Sequence, residues 1–266
     1  MISYVILSYS DIALAALLLI ANAALSIWLR LGLERKLLIA ATRMVVQLVI
    51  VGLVLKALFA VASPWLTALV MFVMVSFAGY EAQARQDRRF TGFWSWGLGT
   101  LSIAIAAIIV VLVALGTAVQ PDPWYHPRYA IPLLGMLLGN TLTGVSLGLE
   151  RLLSSVVRER VVIEARLLVG ATSREALQGC IREAARAGLI PIINAMAATG
   201  LVALPGMMTG QILAGVEPVE AVKYQLLIMF LIAGCTALGL FMAVLGAARL
   251  LSDDRHRLRL DRLSDR

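Results

Sequence analysis

The chain has 266 residues, 61% apolar and only 15% charged, with a net charge of +7. A membrane span takes about 20 apolar residues, and about seven such segments can be drawn, which consumes more than half of the chain. No stretch is left for a soluble catalytic domain, which takes at least about 50 residues. The basic residues sit beside the apolar segments, so anionic lipid rather than nucleic acid is their partner.

The segments lie near 12–29, 44–61, 64–80, 96–119, 130–149, 188–210 and 225–248. If all are spans, 20 of the 23 Lys and Arg residues fall in alternate connections: 30–43, 85–95, 150–187 and the tail from Arg249. The opposite connections hold only Lys56, Arg128 and Lys223. Lys and Arg accumulate on the cytoplasmic side. The pattern therefore predicts an all-α, polytopic membrane protein with about seven transmembrane helices, multi-pass in the cell (inner) membrane. Its N-terminus is expected outside, its C-terminus inside, and residues 1–266 form a single transmembrane domain. No Lys or Arg precedes Arg30, so the first segment reads as a retained span rather than a signal peptide.

In the second segment Arg43 can snorkel to the interface, while Gln47 lies one turn deeper and its amide needs a partner on another helix. Pro64 opens the third, where a proline costs little. That segment ends at Glu81, which reads either as an interfacial residue or as part of a cavity lining. The connection Gln120-Pro121-Asp122-Pro123-Trp124-Tyr125-His126-Pro127 has the prolines and aromatic rings of a loop resting on the membrane surface. Asp122 and His126 are a weak metal-capturing pair there. Cys180 and Cys235, with His126 and His256, form no metal-ligand spacing, so the residues name no metal.

The fifth and sixth segments carry the polar residues. Gly135 and Gly139, then Gly144 and Gly148, are spaced for close helix packing, with Asn140, Thr141, Thr143 and Ser146 among them. Pro205-Gly206 should break the sixth helix ahead of Met207, Met208, Gly210 and Gln211. Freed backbone groups at membrane depth are tolerated only inside protein or beside water. These two segments are the expected pathway helices.

Residues 150–187 form the one substantial segment expected outside the bilayer. Leu152, Leu153, Val156, Val157, Ile163 and Leu167 recur at helical spacing, and Gly170 suits a helix C-cap. Thr172-Ser173-Arg174-Glu175 then matches a capping box, followed by an amphipathic helix with Leu177, Cys180, Ile181 and Ala184 on its apolar side. A helix pair of this kind rests on the membrane surface or offers its turn to the groove of a soluble partner. The interleaved Arg174, Glu175, Arg182, Glu183 and Arg186 suit a protein partner better than lipid.

Glu164-Ala165 followed by Gly170 resembles the E-A-A-x-x-x-G coupling loop of ABC importer permeases, with Arg166 in place of the second alanine. Cys180 and Arg182 stand where the importer pattern has its I-x-L-P isoleucine and leucine. Over nearly the whole chain the sequence resembles the FetB-type family of iron-export ABC permeases, related to plant permeases of aluminium tolerance. The segments that carry it are Arg43-Met44-Val45-Val46-Gln47-Leu48, Pro132-Leu133-Leu134-Gly135-Met136 with Gly139-Asn140, Gly170-Ala171-Thr172, Leu189-Ile190-Pro191, Gly200 through Gly210, and Lys223-Tyr224-Gln225.

The resemblance implies a permease subunit, not itself an enzyme, that exports iron or another metal or small solute. It implies a separate ATP-binding-cassette subunit that holds ATP and Mg, and a second permease copy. It places coupling to that ATPase at Glu164, Ala165, Gly170, Ala171 and Thr172 within 150–187, and the charge pattern adds a basic cytoplasmic tail at 249–266. The candidate pathway is Asn140, Thr141, Thr143, Met207, Met208, Gln211, Gln47 and Glu81. The chain's lysines, Lys36, Lys56 and Lys223, lie in no G-x-x-x-x-G-K-[ST] loop, in keeping with a motor on another polypeptide. The rival is a gradient-driven transporter or channel, which places ionisable residues deep in spans. A membrane enzyme would need a clustered nucleophile, base or metal set, and the sequence has none.

Overall fold

The computed structural model describes residues 8–61, 63–86, 88–253 and 255–265. Among them, six helices are long and apolar enough to cross a bilayer: 10–28, 34–61, 64–84, 96–118, 127–158 and 218–250. The chain divides into two compact units, residues 1–62 and 63–266, where the sequence reading has one domain.

The first unit is a helical hairpin, α1 (Tyr9–Trp28) and α2 (Glu34–Val61). Ser8 and Asp11 cap α1 reciprocally. Arg30 and Gly32 take positive φ in the turn, and Ser26 Oγ secures it by donating to Glu34 Oε2 at 2.9 Å while accepting from Leu33 N–H. The sequence reading starts the second helix near residue 44. It starts ten residues earlier, at Glu34, because the straight-chain residues Glu34-Arg35-Lys36-Leu37-Leu38 are good helix formers and the turn needs only five residues.

The second unit is built around α5 (Pro127–Arg158), which packs against α3 (Pro64–Ala84), α4 (Phe93–Val113, extended by a π-helical turn at Ala114–Val119), α7 (Ser173–Ala198) and α9 (Pro218–Leu250). Between these run the short α6 (Arg160–Leu168) and α8 (Gly206–Leu213). Strand β1 (Arg88–Phe90) pairs antiparallel with β2 (Leu263–Asp265), Phe90 opposite Leu263. The 120–127 connection ends at His126, whose Nδ1 accepts the Arg128 N–H and so caps α5. That ring is a cap.

The core depends on residues small enough to let backbones meet. A Cβ at Gly188 would lie 2.6 Å from the Gly144 carbonyl oxygen and 2.6 Å from Leu240 Cδ1. α5, α7 and α9 therefore converge at one level, with α7 antiparallel to both of the others. Gly144 and Gly148 belong to this convergence, but Gly139 has open space beside it and Gly135 only Met74. Of the four glycines in the sequence pattern, two pack backbone to backbone or against Leu240, Gly135 meets α3 at Met74, and Gly139 alone is at the surface.

The predicted sixth span, 188–210, is not one helix. α7 starts fifteen residues before it and stops at Ala198. The chain then turns through Gly200 at φ +98, whose N–H donates to the Ala203 carbonyl at 2.9 Å, before α8 begins at Gly206. Pro205 leads α8 as its N-cap residue. The expected break is present, and it extends over seven residues. The predicted helix at 150–167 also differs: α5 runs unbroken to Arg158 and hands over to α6 at Glu159.

Overpacking a full core costs about 1–3 kcal/mol. Gly188→Val should therefore lower the thermal midpoint of the detergent-solubilised protein by several degrees, read by tryptophan fluorescence. Gly234→Ala, where nothing lies within 4 Å, should leave it unchanged or raise it.

Candidate functional site: a projecting helix turn and a polar helix stripe

Helix α6 ends in a Schellman turn. Gly170 N–H donates to the Leu167 carbonyl and Ala171 N–H to the Arg166 carbonyl, both at 3.1 Å, with Gly170 at φ +93. Only glycine adopts that φ without strain. Two residues later α7 begins on the predicted capping box. Thr172 Oγ1 accepts the Glu175 N–H, and the Glu175 carboxylate accepts the Thr172 N–H at 2.8 Å. These bonds hold the Glu175 carboxyl below its ordinary value. The turn is thus tied at both ends in about four residues.

Sequence-predicted coupling residues gather here. Gly170, Ala171 and Thr172 are the turn itself, and Ala165 accepts the Val169 N–H of its first bond. Glu164 sits on α6 in an ion pair with Arg160 at 2.7 Å. The sequence reading missed the residues that stand out most, Leu168 and Val169. They are 87% and 84% exposed, an apolar knob at the tip.

Helix rise gives the tip's height. At about 1.5 Å per residue, Ser173 lies about 22 Å from the level of Gly188, and Pro127 about 26 Å from Gly144 on the other side. The tip is then about 48 Å from the start of α5, against about 30 Å of hydrocarbon and 40–45 Å for a whole bilayer. Glu150, the first charge on α5 after Arg128, falls about 34 Å along. Measured along the helices from Pro127, the turn lies farther away than a whole bilayer is thick.

Below Glu150 the α5–α7 pair is clamped. Glu183 of α7 accepts from Arg151 Nη2 at 3.0 Å and from Ser155 Oγ at 3.4 Å, with Arg158 at 3.7 Å. Cys180 is buried beside Glu159. Burial, then the nearby carboxylate, pushes its thiol up to about 11, which keeps it protonated and unreactive.

The predicted pathway residues do not form one cluster. Asn140 and Thr143 share the exposed side of α5 with Gly139 and Leu147. Their side chains bond only back to their own helix, Asn140 Nδ2 to the Met136 carbonyl and Thr143 Oγ1 to the Gly139 carbonyl. Thr141 points the opposite way, fully buried and donating to Cys235 Sγ at 3.2 Å, because successive helix positions are 100° apart. Met207, Met208 and Gln211 lie on α8, which packs on α9. The Gln211 Oε1 is buried with no partner among the described residues. Glu81 closes α3, 3.9 Å from Arg85. Gln47 belongs to α2 in the other unit. No group of three or more His, Cys, Asp or Glu residues able to hold a metal occurs among the described residues.

The tail reads differently in structure and sequence. Leu258, Leu260 and Leu263 pack against the core, Arg259 N–H donates to the Leu251 carbonyl at 2.8 Å, and β2 joins β1. The alternation Leu258-Arg259-Leu260 was the available signal for an extended, half-buried segment.

Comparison with known proteins agrees with this architecture. Residues 9–251 match the family model of UPF0014, described as an uncharacterised protein family. A UPF0014 membrane protein of Synechocystis is 42% identical over 85% of this chain and 86% of its own length. A protein named "Probable iron export permease protein FetB" from Escherichia coli is 33% identical over 93% of each chain. The rice UPF0014 membrane protein STAR2 is 36% identical over 80% of this chain and 73% of its own. No solved structure matches. The chain is a multi-pass membrane protein that belongs to the UPF0014 family.

Proposed function

We propose that this chain is the membrane-spanning permease subunit of an ABC transporter, resident in the cell membrane and driven by ATP hydrolysed on a separate subunit. The observation that carries the reading is the α6–α7 turn. A rigid, doubly capped turn lifts two exposed apolar side chains well past the bilayer, in a chain with no phosphate-binding loop. Exposed leucine and valine beyond the headgroups need a partner, and a groove on a soluble subunit suits a helix turn. The clamp at Glu183 joins the turn stiffly to α5, so a push on Leu168 and Val169 reaches the membrane.

In this reading the basic connections face the cytoplasm, the N-terminus is outside, and α7 with α8 makes the sixth of seven crossings. α7 ends about 15 Å beyond Gly188, short of the outer level of Pro127, and the loop after it leaves Leu201 and Val202 98% and 86% exposed. Irregular backbone at that depth is tolerated only within protein or at a water-filled path. A second copy of the chain covers this region and the Asn140–Thr143 stripe of α5, and the route runs between the copies. Asn140 and Thr143 offer oxygen and amide groups to a passing solute, and Met207 and Met208 offer thioethers, which suit softer metals. The name of the Escherichia coli relative supports iron or another metal as cargo, moved outward. A gradient-driven carrier would need a coupling ionisable residue at depth. Glu81 is the nearest candidate, and it sits in the last turn of α3 beside Arg85.

Two outcomes follow. The purified protein should retain an ATP-binding-cassette subunit co-expressed with it. Leu168→Asp or Glu164→Lys should weaken that retention by at least about tenfold, equivalent to about 1.4 kcal/mol, and undiminished retention by Leu168→Asp would sink the coupling role. Asn140→Leu should keep the ATPase bound but reduce metal efflux from vesicles by about tenfold or more. Normal efflux would remove α5 from the route.

A further inference from the structure

The tail beyond α9 is folded into a hairpin whose tip touches the coupling turn. Ser252 and Leu258 bridge its arms. The Asp253 carboxylate closes the loop, accepting the Arg255 N–H at 3.0 Å, the Arg257 N–H at 2.8 Å and Arg257 Nε at 2.8 Å. Those backbone donors hold the Asp253 carboxyl below its ordinary range. At the tip His256 takes φ +55, and its Nδ1 lies 2.9 Å from Ser173 Oγ and 3.3 Å from the Ser173 N–H. Leu258, Leu260 and Leu263 anchor the other end in the core, and Arg262 Nη1 donates to the Leu250 carbonyl at 2.7 Å. The hairpin is therefore a fixed part of the surface that carries Leu168 and Val169.

The Ser173–His256 contact has an electrostatic consequence. It places Arg174 and Arg255, the sequence neighbours of the two contacting residues, at the start of α7, where the Glu175 carboxylate already caps the helix N-terminus. Both are exposed. Five arginines of these segments are paired within the chain: Arg151 and Arg158 with Glu183, Arg160 with Glu164, Arg257 with Asp253, Arg259 with Asp261. Arg166, Arg174 and Arg255 have no ion pair among the described residues, and they flank the knob. Exposed guanidinium groups without an ion pair in the chain are available to carboxylates of a partner.

Anionic lipid is the nearest other negative surface. With α5 untilted and Pro127 at the outer hydrocarbon boundary, the tip stands about 18 Å past the inner boundary. That is beyond the headgroups, about 5–7 Å deep, by more than the Debye length of about 8 Å at physiological salt.

We propose that the C-terminal hairpin is a second docking element for the ATP-hydrolysing subunit, with Arg174 and Arg255 forming a basic rim beside the Leu168–Val169 knob. The partner is thereby specified chemically as an apolar groove edged by Asp or Glu side chains. This rests on the coupling reading above. The knob supplies the buried contact, and the rim steers approach and sets orientation, as rim charges do elsewhere.

The test measures association of the purified permease with the purified ATP-binding subunit at low and high salt, for wild type, Leu168→Asp, Arg255→Lys and the double variant Arg174→Glu/Arg255→Glu. The double variant should associate about tenfold more slowly at low salt and at the wild-type rate at high salt, while Arg255→Lys stays near wild type. Thermal midpoints matching wild type exclude misfolding as the cause. Association of the double variant at the wild-type rate in low salt, with Leu168→Asp defective, would overturn the rim and leave the coupling turn standing. No association by wild type would remove the ATPase reading and this inference with it. A double variant that changes only the anionic phospholipid retained on purification would assign the surface to the bilayer and overturn the proposal.

Discussion

The backbone contact between Gly144 of α5 and Gly188 of α7 sets the depth of everything else in the second unit. Two helices that meet without side chains between them have one register, and here Leu240 of α9 fills the third side of the same contact. In a bilayer such packing replaces the hydrophobic drive that water would supply. Because α7 is fixed at Gly188, its start at Ser173 lies about 22 Å from that level on one side and its end at Ala198 about 15 Å on the other. One crossing thus sets both the reach of the α6–α7 turn and the level at which α7 breaks.

The polar groups divide according to that crossing. Thr141 and Ser155 face the packed side of α5 and are satisfied by Cys235 and Glu183. Asn140 and Thr143 face away, with only their own helix carbonyls as partners. A lipid-facing amide is costly, so the exposed stripe is the side of the helix that another protein surface or a water-filled path would cover. Below the bilayer the logic changes to charge. Glu183 gathers two arginines and a serine and so ties α7 to α5. Isolated surface pairs contribute little, but this network ties two helices together about 15 Å along α7 from its start.

Much of this was legible in the residues. Gly170 at a helix end and Thr172-x-x-Glu175 specify the turn by local chemistry alone, and both are formed as read. Pro205-Gly206 marked a helix break for the same reason. What could not be read was which side of α5 is buried. Glycines at 135, 139, 144 and 148 repeat identically in sequence, and only the partners Gly188 and Leu240, some 40 and 90 positions away, select the second pair for packing. The same long-range choice turned Thr141 inward while its neighbour Asn140 stayed outside. In sequence the tail reads only as a basic segment, because arginines dominate its composition. Three leucines among them, at 258, 260 and 263, fold it onto the core instead.

The central claim is that nucleotide binding on a partner subunit moves the α6–α7 turn and thereby changes what the exposed side of α5 meets. Both native cysteines are buried, so Asn140→Cys places one reactive thiol on that side. The decisive measurement is its labelling rate by a membrane-impermeant maleimide in oriented vesicles that hold the complex, nucleotide-free and then trapped with ATP. The account predicts that labelling is fast from one side of the membrane in one state and shifts or collapses in the other. A thiol that stays unlabelled from both sides in both states, or that labels at the same rate throughout, would contradict it.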